Sequence, residues 1–306
     1  MNSAEVLAHF EDKGPTFLYG YVPTEWICIV FLVFFGLSTT PVVHFIEAAY
    51  FGMWWLLPTA CLGGISEILG WAARFWSSRN PQNLNPYIMQ ITTTIIAPTP
   101  LIAANFVILG RMIEQLGPEY NRIGPHMYTI IFCSADVIAL VVQAVGGASA
   151  SFAAENNKDA SKGGHIMLGG IVFQLASIIM YTALAAEFLI RYFNDKPLRG
   201  HRYLDREKQA DIGLSLSSSS SYNGGHKRHR SMPAKMRWVF IGLGFSTTCV
   251  FIRSVYRTIE LQNGWAGRII QTQRYFNLLD GMMIVFAMIC LNILHPGYLL
   301  PPRLRK

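Results

Sequence analysis

The residues best suited to chemistry lie between two apolar segments near the end of the chain. The stretch Phe251–Gly281 carries Arg253, Arg257, Glu260 and Asp280 at or inside the boundaries of these segments. A charged side chain within a bilayer costs about 2.5 to 3.5 kcal/mol on insertion scales, so such residues are usually paired and functional. The first three are spaced i, i+4 and i+7, which places them on one helix face. This face is expected to contact other helices rather than lipid.

Two aspartates are the expected partners of these arginines. Asp136 and Asp280 lie deep within apolar segments, where a short side chain does not reach the aqueous interface. We predict that they pair with Arg253 and Arg257, and that one of these pairs lines a central cavity. The alternative is a structural ion pair that only determines how the helices pack.

Other polar residues within the apolar segments extend the candidate site. Glu67 shares a helix face with Arg74, and both Arg74 and Glu187 are expected to mark span ends, where long side chains reach water. Three amides are expected to connect helices by hydrogen bonds: Asn105, Gln174 and Asn292. The predicted substrate-binding residues are Glu67, Gln90, Asp136, Gln143, Arg253, Arg257, Glu260 and Asp280.

The elements that position these residues are predicted to be transmembrane helices. Hydrophobic residues make up 52% of the 306 residues and charged residues only 14%, whereas soluble domains carry about 25% charged residues. A span needs about 20 apolar residues. Seven runs meet this length: Thr24–Ile46, Met53–Trp76, Tyr87–Glu114, Met127–Gly147, Ile166–Tyr192, Met236–Ile259 and Phe276–Leu294. We therefore predict an all-α, polytopic membrane protein with seven transmembrane helices. Pro98 and Pro100 should kink the third helix, because proline removes backbone donors.

Basic residues predict the orientation of the chain. With the N-terminus outside, Lys and Arg on the inner side outnumber those on the outer side by roughly two to one. The C-terminus is therefore expected in the cytoplasm. The predicted regions are an extracellular tail (1–23), transmembrane helices 1–5 (24–192), a cytoplasmic loop (193–235), helices 6–7 (236–296) and a cytoplasmic tail (297–306).

The 193–235 loop is the candidate regulatory region. Its second half contains the low-complexity string LSLSSSSSYNGGHKRHRS, which is predicted to be disordered. It is interpreted as a linker, with two functional alternatives. These are phosphorylation of its serines and attraction of Lys227–Arg230 to anionic lipid. The loop is also a candidate binding region for a cytoplasmic protein partner.

Several classes of function are disfavoured by missing motifs. No G-x-x-x-x-G-K-[ST] or G-x-S-x-G string is present, so nucleotide-driven pumping and serine hydrolysis lack support. No apolar segment carries an H-x-x-x-H pair for a zinc site, which leaves an intramembrane amidohydrolase poorly supported. We predict that the protein is not an enzyme, uses no cofactor and binds no nucleic acid.

Ordered motifs along the membrane region resemble a known family. They are Glu67-x-x-Gly70-Trp71-x-x-Arg74, Gln90 with Ala97-Pro98, Leu109-Gly110-Arg111, Ile131-Phe132-x-x-x-Asp136, Gln143-x-x-Gly146-Gly147, Gly170-x-x-x-Gln174 and Arg253-x-x-Tyr256-Arg257-x-x-Glu260 with Asp280. The chain resembles the fungal lipid-translocating exporters, a seven-spanning group named for resistance to an aminocholesterol. It departs from their pattern at several positions, including Gln273, where Glu is usual, and Asn277, where Tyr is common.

The resemblance implies a multi-pass protein of the fungal plasma membrane that protects against toxic amphiphiles. It implies a sphingoid long-chain base or a sterol-like molecule as the lipid partner. The first hypothesis is therefore a lipid translocator or exporter. The alternative is a seven-helix lipid sensor or receptor that acts on cytoplasmic partners through the 193–235 loop.

Overall fold

A computed structural model describes residues 19–39, 50, 53–156, 158–197, 232–262 and 267–299 of the chain. Four predicted features lie wholly or mostly outside these residues. They are the extracellular tail, the end of the first span at Ile46, the serine-rich part of the 193–235 loop and the C-terminal tail.

The described residues fold into helices in the predicted order and contain no β-strand. The helices are α1 Glu25–Thr39, α2 Leu62–Arg79, α3 Leu84–Leu116, α4 Pro125–Glu155, α5 Ser161–Phe193, α6 Ala234–Gln262 and α7 Met282–Ile293. A 3₁₀ turn and a π turn lead into α2: Trp54–Leu56 and Leu57–Cys61. A helical turn and a π turn lead into α7: Gln273–Tyr275 and Phe276–Gly281. One-turn helices follow α3 and α7: Pro118–Tyr120 and Pro296–Leu299. The all-α class is confirmed.

Five helical segments in the described part are long and apolar enough to cross a membrane. They are Leu84–Leu116, His126–Ala153, Ser161–Phe193, Ala234–Gln262 and Gln273–Leu299. α1 is apolar but has 15 described residues, and α2 carries three charged residues, Glu67, Arg74 and Arg79. The protein is therefore a multi-pass membrane protein. The count of seven spans and the outside location of the N-terminus stay predictions.

The helices pack into a closed bundle with α3 in its interior. Each helix packs against the next one in the chain, and α7 also packs against α1. The second half of α3 contacts α2, α4 and α6, and almost all of its side chains are buried. α4 instead exposes an apolar face that is expected to contact lipid: Ile130, Val137, Ile138, Val141 and Val145.

The predicted irregularity in α3 lies at Ala97, which separates the segments Leu84–Ile96 and Pro98–Leu116. The Ala97 N–H still donates to the Thr93 carbonyl at 3.0 Å, so the chain stays helical through this point. Pro98 has no N–H to donate to the carbonyl four residues before it, which is that of Thr94. A backbone acceptor is therefore free in the middle of the buried helix.

Candidate functional site

The charged face predicted for α6 is buried in the bundle interior. Arg253, Arg257 and Glu260 are all buried, and they face α3 and the π turn that leads into α7. Asp280, which lies on that turn, is fully buried between the two arginines. The predicted pairing of Asp280 with Arg253 and Arg257 is confirmed.

Arg257 makes the densest set of contacts in this region. Its Nε lies 2.7 Å from Asp280 Oδ1 and its Nη2 lies 3.0 Å from Asp280 Oδ2, which is a bidentate arrangement. Its Nη1 donates to Glu260 Oε2 at 2.9 Å, and its Nη2 also donates to Thr94 Oγ1 at 3.0 Å. The guanidinium of Arg257 therefore joins α6, α7 and α3.

Arg253 uses the acceptor that Pro98 leaves free. Its Nη2 donates to the Thr94 carbonyl, so the proline and the arginine meet at one backbone group. Its Nε lies 2.9 Å from Asp280 Oδ1, close enough for an ion pair, but the angle is too poor for a hydrogen bond. Asp280 thus neutralises two arginines and forms its hydrogen bonds with only one of them.

Three further residues complete what we call the charged cluster. Tyr256 donates to Glu260 Oε1 at 2.8 Å, and Gln90 Nε2 lies 3.5 Å from Thr94 Oγ1. Glu67 is fully buried on α2 and interacts electrostatically with Arg253, Asp280 and Arg257. The charged cluster comprises Glu67, Gln90, Thr94, Arg253, Tyr256, Arg257, Glu260 and Asp280.

Glycines allow the helices around the charged cluster to approach closely. A Cβ added to Gly70 of α2 would lie 2.6 Å from Thr94 Cγ2. A Cβ added to Gly281 would lie 2.5 Å from Trp71 Cζ2, and Trp71 is itself fully buried. Both glycines are therefore needed to bring α2 against α3 and α7.

The expectation that Arg74 reaches water is wrong. Arg74 is only 1% exposed, and its Nη2 donates to the Tyr21 hydroxyl at 2.6 Å. Its guanidinium lies over several aromatic rings: those of Tyr19, Tyr21, Trp71 and Phe276. These rings attract the cation and exclude water, so they replace the aqueous interface that the sequence led us to expect. Glu187, by contrast, does stay partly exposed and pairs with Arg122 and Arg191.

The expectation that Asp136 pairs with Arg253 or Arg257 is also wrong. Asp136 is buried on α4, and neither of its carboxylate oxygens accepts a hydrogen bond in the described part of the structure. The polar group near it is Gln174 of α5. The reason is helix order, because α4 packs chiefly against α3 and α5 whereas the arginines belong to α6.

Amide side chains form a second polar connection, away from the charged cluster. Gln143 of α4 donates to Gln174 Oε1 at 3.1 Å, and Gln174 donates to Thr99 Oγ1 of α3 at 3.2 Å. Asn105 pairs with Ser246, and Asn292 donates to the Ser38 carbonyl and hydroxyl. The predicted interhelical role of the three amides Asn105, Gln174 and Asn292 is confirmed.

The cavity beside the charged cluster is small, and the larger pockets lie elsewhere in the bundle. A cavity of about 20 Å³, room for one water, lies beside Gln90, Arg257 and Glu260 of the charged cluster. Arg257 lines this cavity but Asp280 does not, so the predicted ion pair does not line it as a pair, and the cavity is far too small for a lipid. Several apolar pockets are much larger, and two of them have volumes of about 430 Å³ and 520 Å³.

The two large pockets differ in position and polarity. The α3–α4 pocket, of about 430 Å³, includes Ile91, Gln143 and Gly147, with Lys158 and Asp159 at one end. The α5–α6 pocket, of about 520 Å³, lies between α5 and α6 against α3, and no charged residue lines it. Both volumes fall in the range of small-molecule sites.

Six of the predicted binding residues come together in the charged cluster: Glu67, Gln90, Arg253, Arg257, Glu260 and Asp280. Gln143 lines the α3–α4 pocket, and Asp136 lies apart from both. Sequence reasoning missed Thr94, which accepts from both arginines. Its position four residues before Pro98 was the available signal. The binding roles of all eight residues stay predictions.

Fold and site together define a multi-pass α-helical membrane protein with a buried charged cluster and lipid-sized apolar pockets. The chain belongs to the RTA1-like protein family, whose profile matches residues 60–303. This confirms the family resemblance that the ordered motifs indicated.

Curated relatives come from the yeast Saccharomyces cerevisiae. The sphingoid long-chain base transporter RSB1 is 28% identical over 284 residues, covering 91% of this chain and 73% of the relative. Protein RTA1 is 26% identical and protein RTM1 24% identical, with 76% and 74% of this chain and 63% of each relative covered. No solved structure is significantly similar to the chain.

Proposed function

We propose that the protein exports amphipathic lipids across the plasma membrane and so contributes to resistance against toxic amphiphiles. The proposed substrate is a sphingoid long-chain base or a sterol-like molecule. The observation that carries the proposal is the 28% identity to the sphingoid long-chain base transporter RSB1 over 91% of the chain. The apolar pockets between membrane-spanning helices support it, because they offer space for a lipid tail.

The α3–α4 pocket is the proposed substrate site. An amphiphile needs an apolar wall for its tail and polar groups for its head. This pocket offers Ile91 and Ile95 along the wall, Gln143 inside it, and Asp159 at one end. The α5–α6 pocket has no charged residue in its lining and does not offer the same match.

The charged cluster is proposed to hold the helices in the closed arrangement. Every carboxylate oxygen of Glu260 and Asp280 already accepts a hydrogen bond from a cluster residue, so neither group needs a head group to satisfy it in the closed arrangement. The cavity beside the cluster has a volume of only about 20 Å³, so passage of a lipid there would require the helices to rearrange. The ion pairs of Arg253 and Arg257 with Asp280 would then be remade in each cycle.

The proposal is tested by measuring lipid movement with purified protein in liposomes. A fluorescent sphingoid base is loaded in one leaflet and its appearance in the other is followed. We expect transfer that depends on the protein and saturates with lipid. Transfer no faster than in empty liposomes, with saturable lipid binding retained, would contradict transport.

The substrate site is tested by filling one pocket at a time. Gly147 lines the α3–α4 pocket, and its added Cβ would meet only Met167 Sδ, at 3.8 Å. Gly244 lines the α5–α6 pocket and has open space around its added Cβ. We expect Gly147→Phe to slow transfer by about tenfold or more and Gly244→Phe to leave it unchanged. Equal effects of the two variants would reject the α3–α4 pocket as the site.

The second candidate function is a lipid sensor. The observation that favours it is the basic, serine-rich 193–235 loop, which suits a cytoplasmic protein partner. Deletion of Leu214–Arg230 separates the two functions. A sensor should lose lipid resistance in cells while the purified protein still binds lipid, whereas a translocator should keep both.

A further inference from the structure

Glu67 differs from the other carboxylates of the charged cluster. It is fully buried, and among the described residues only the Trp71 indole N–H lies near its oxygens, in a geometry too poor for a good hydrogen bond. Asp280 and Glu260, by contrast, accept hydrogen bonds on every carboxylate oxygen. An ionised carboxylate without hydrogen bonds is the most costly state of a buried group.

The charge count of the cluster points in the same direction. It holds two arginines, Arg253 and Arg257, and three carboxylates, those of Glu67, Glu260 and Asp280. Among these five groups, Asp280 and Glu260 already balance the two arginines, so an ionised Glu67 would leave one negative charge in excess. Arg74 is also buried nearby, but its contacts are the Tyr21 hydroxyl and aromatic rings, and the cations that act on Glu67 are Arg253 and Arg257. One proton on Glu67 makes the cluster neutral.

The groups that face Glu67 come from three packed helices. α6 contributes Arg253 and Arg257, and the turn before α7 contributes Asp280. On α2 itself the neighbour is Trp71, while the next charged residue, Arg74, is held by Tyr21 and aromatic rings. On α3, the nearby cluster members Gln90 and Thr94 are uncharged, and α1, which also packs against α2, places the apolar rings of Phe31 and Phe35 against Trp71.

We propose that Glu67 is a proton-binding site and that its proton stabilises the closed bundle. Loss of the proton to water places a second carboxylate beside Arg253, in competition with Asp280. The ion pair that joins α6 to α7 then weakens, and α2 is drawn toward α6.

The proton site makes transport dependent on pH, and this part rests on the proposed lipid transport. Protonation of Glu67 favours the closed bundle, and deprotonation favours rearrangement. Coupling to a proton gradient further requires Glu67 to take its proton from one side of the membrane and to release it to the other side as the bundle rearranges. With that alternation, the proton gradient is the proposed energy source.

The proton site is tested without any lipid. Thermal unfolding of the detergent-purified protein is followed from acidic to alkaline pH, for the wild type and for Glu67→Gln. The glutamine imitates the protonated carboxyl in size and charge, so we expect it to lose less stability than the wild type as the pH rises. Asp136, another buried carboxylate without a hydrogen bond, is present in both proteins and contributes equally to both. The control is Glu187→Gln, which neutralises a partly exposed carboxylate that is paired with Arg122 and Arg191.

These variants distinguish a proton on Glu67 from a general loss of folding stability. Glu187→Gln should keep the wild-type loss of stability at alkaline pH, and an equal reduction of that loss in Glu187→Gln and Glu67→Gln would overturn the assignment to Glu67. Wild-type protein with the same pH profile as Glu67→Gln would overturn the proton site itself. Trp71, one turn after Glu67, gives a second readout. Its fluorescence is obtained as the difference between a protein and its Trp71→Phe variant. This difference should change with pH in the wild-type background and stay constant in the Glu67→Gln background.

Liposomes then test the coupling. With a fluorescent sphingoid base, wild-type transfer should change severalfold when a proton gradient is imposed, and transfer by Glu67→Gln should not. A titrating Glu67 with no transfer at all would contradict the transport function and leave the proton site standing. Transfer that ignores the gradient in the wild type would contradict the coupling and leave transport standing.

Discussion

Charge holds one half of the bundle together, and close backbone packing holds the other half. In the charged half, α2, α3, α6 and the turn before α7 meet at the cluster of two arginines and three carboxylates. In the α4–α5 half, a Cβ added to Gly146 would lie 2.4 Å from the backbone nitrogen of Met167, and one added to Gly163 would lie 2.4 Å from that of Ala150. The hydrogen bonds across this seam join uncharged groups: Gln143 donates to Gln174, and the Tyr128 hydroxyl donates to the Tyr181 carbonyl.

The two kinds of contact between helices respond differently to a change in pH. Hydrogen-bonded ion pairs are directional and depend on the ionisation of each partner, so a single proton alters the charged half. Backbone contacts between small residues depend on shape alone and stay the same across the pH range. The charged half is therefore suited to the rearrangement that the proposed transport requires, while the α4–α5 half is suited to act as a fixed wall of the proposed substrate pocket.

The largest loss of stability in the charged half is expected when the carboxylate that both arginines share is removed. Asp280→Asn leaves Arg253 and Arg257 with an uncompensated buried charge, which costs about 3 to 5 kcal/mol in buried pairs. We expect the largest loss of thermal stability in detergent from this variant. Glu187→Gln is the control, because it breaks ion pairs with Arg122 and Arg191 that are partly exposed, and such pairs contribute about 0 to 1 kcal/mol. Similar losses for the two variants would show that the cluster is not a stabilising element.

The next variant tests the α4–α5 half by shape. Gly146→Ala places a methyl group against the Met167 backbone, which cannot move aside, and overpacking of this kind costs about 1 to 3 kcal/mol. Gly147→Ala, one residue later, meets only Met167 Sδ at 3.8 Å and should be neutral. The difference in unfolding temperature between the two variants measures how much stability depends on the close packing of α4 against α5. No difference would mean that α4 and α5 do not pack as closely as the structure has them.

The sequence was sufficient to predict what one helix determines by itself. The apolar runs predicted the order of the helices, and the i, i+4, i+7 spacing predicted the buried face of α6 with Arg253, Arg257 and Glu260. These features follow from the period of the helix and from the cost of charge in lipid.

Predictions failed where they depended on which helices are neighbours. Asp136 and Asp280 look alike in sequence, yet only Asp280 meets the arginines, because α4 packs away from α6. Arg74 is buried because Tyr19 and Tyr21, from before α1, fold over it, a contact between residues more than 50 positions apart. Neither outcome can be inferred from the period of a single helix.

The smallest expected effect concerns the link between Pro98 and Arg253. The proline leaves the Thr94 carbonyl free, and Arg253 Nη2 donates to it. Pro98→Ala restores an N–H that competes for this carbonyl, so the variant should cost more stability when Arg253 is present than in an Arg253→Met background. A double-mutant cycle on unfolding free energies should give a coupling of about 0.5 to 1.5 kcal/mol, the net value of one hydrogen bond. Additive effects of the two substitutions would mean that Pro98 and Arg253 are not coupled through the Thr94 carbonyl. The stability of the charged half would then not depend on the missing backbone hydrogen bond of α3.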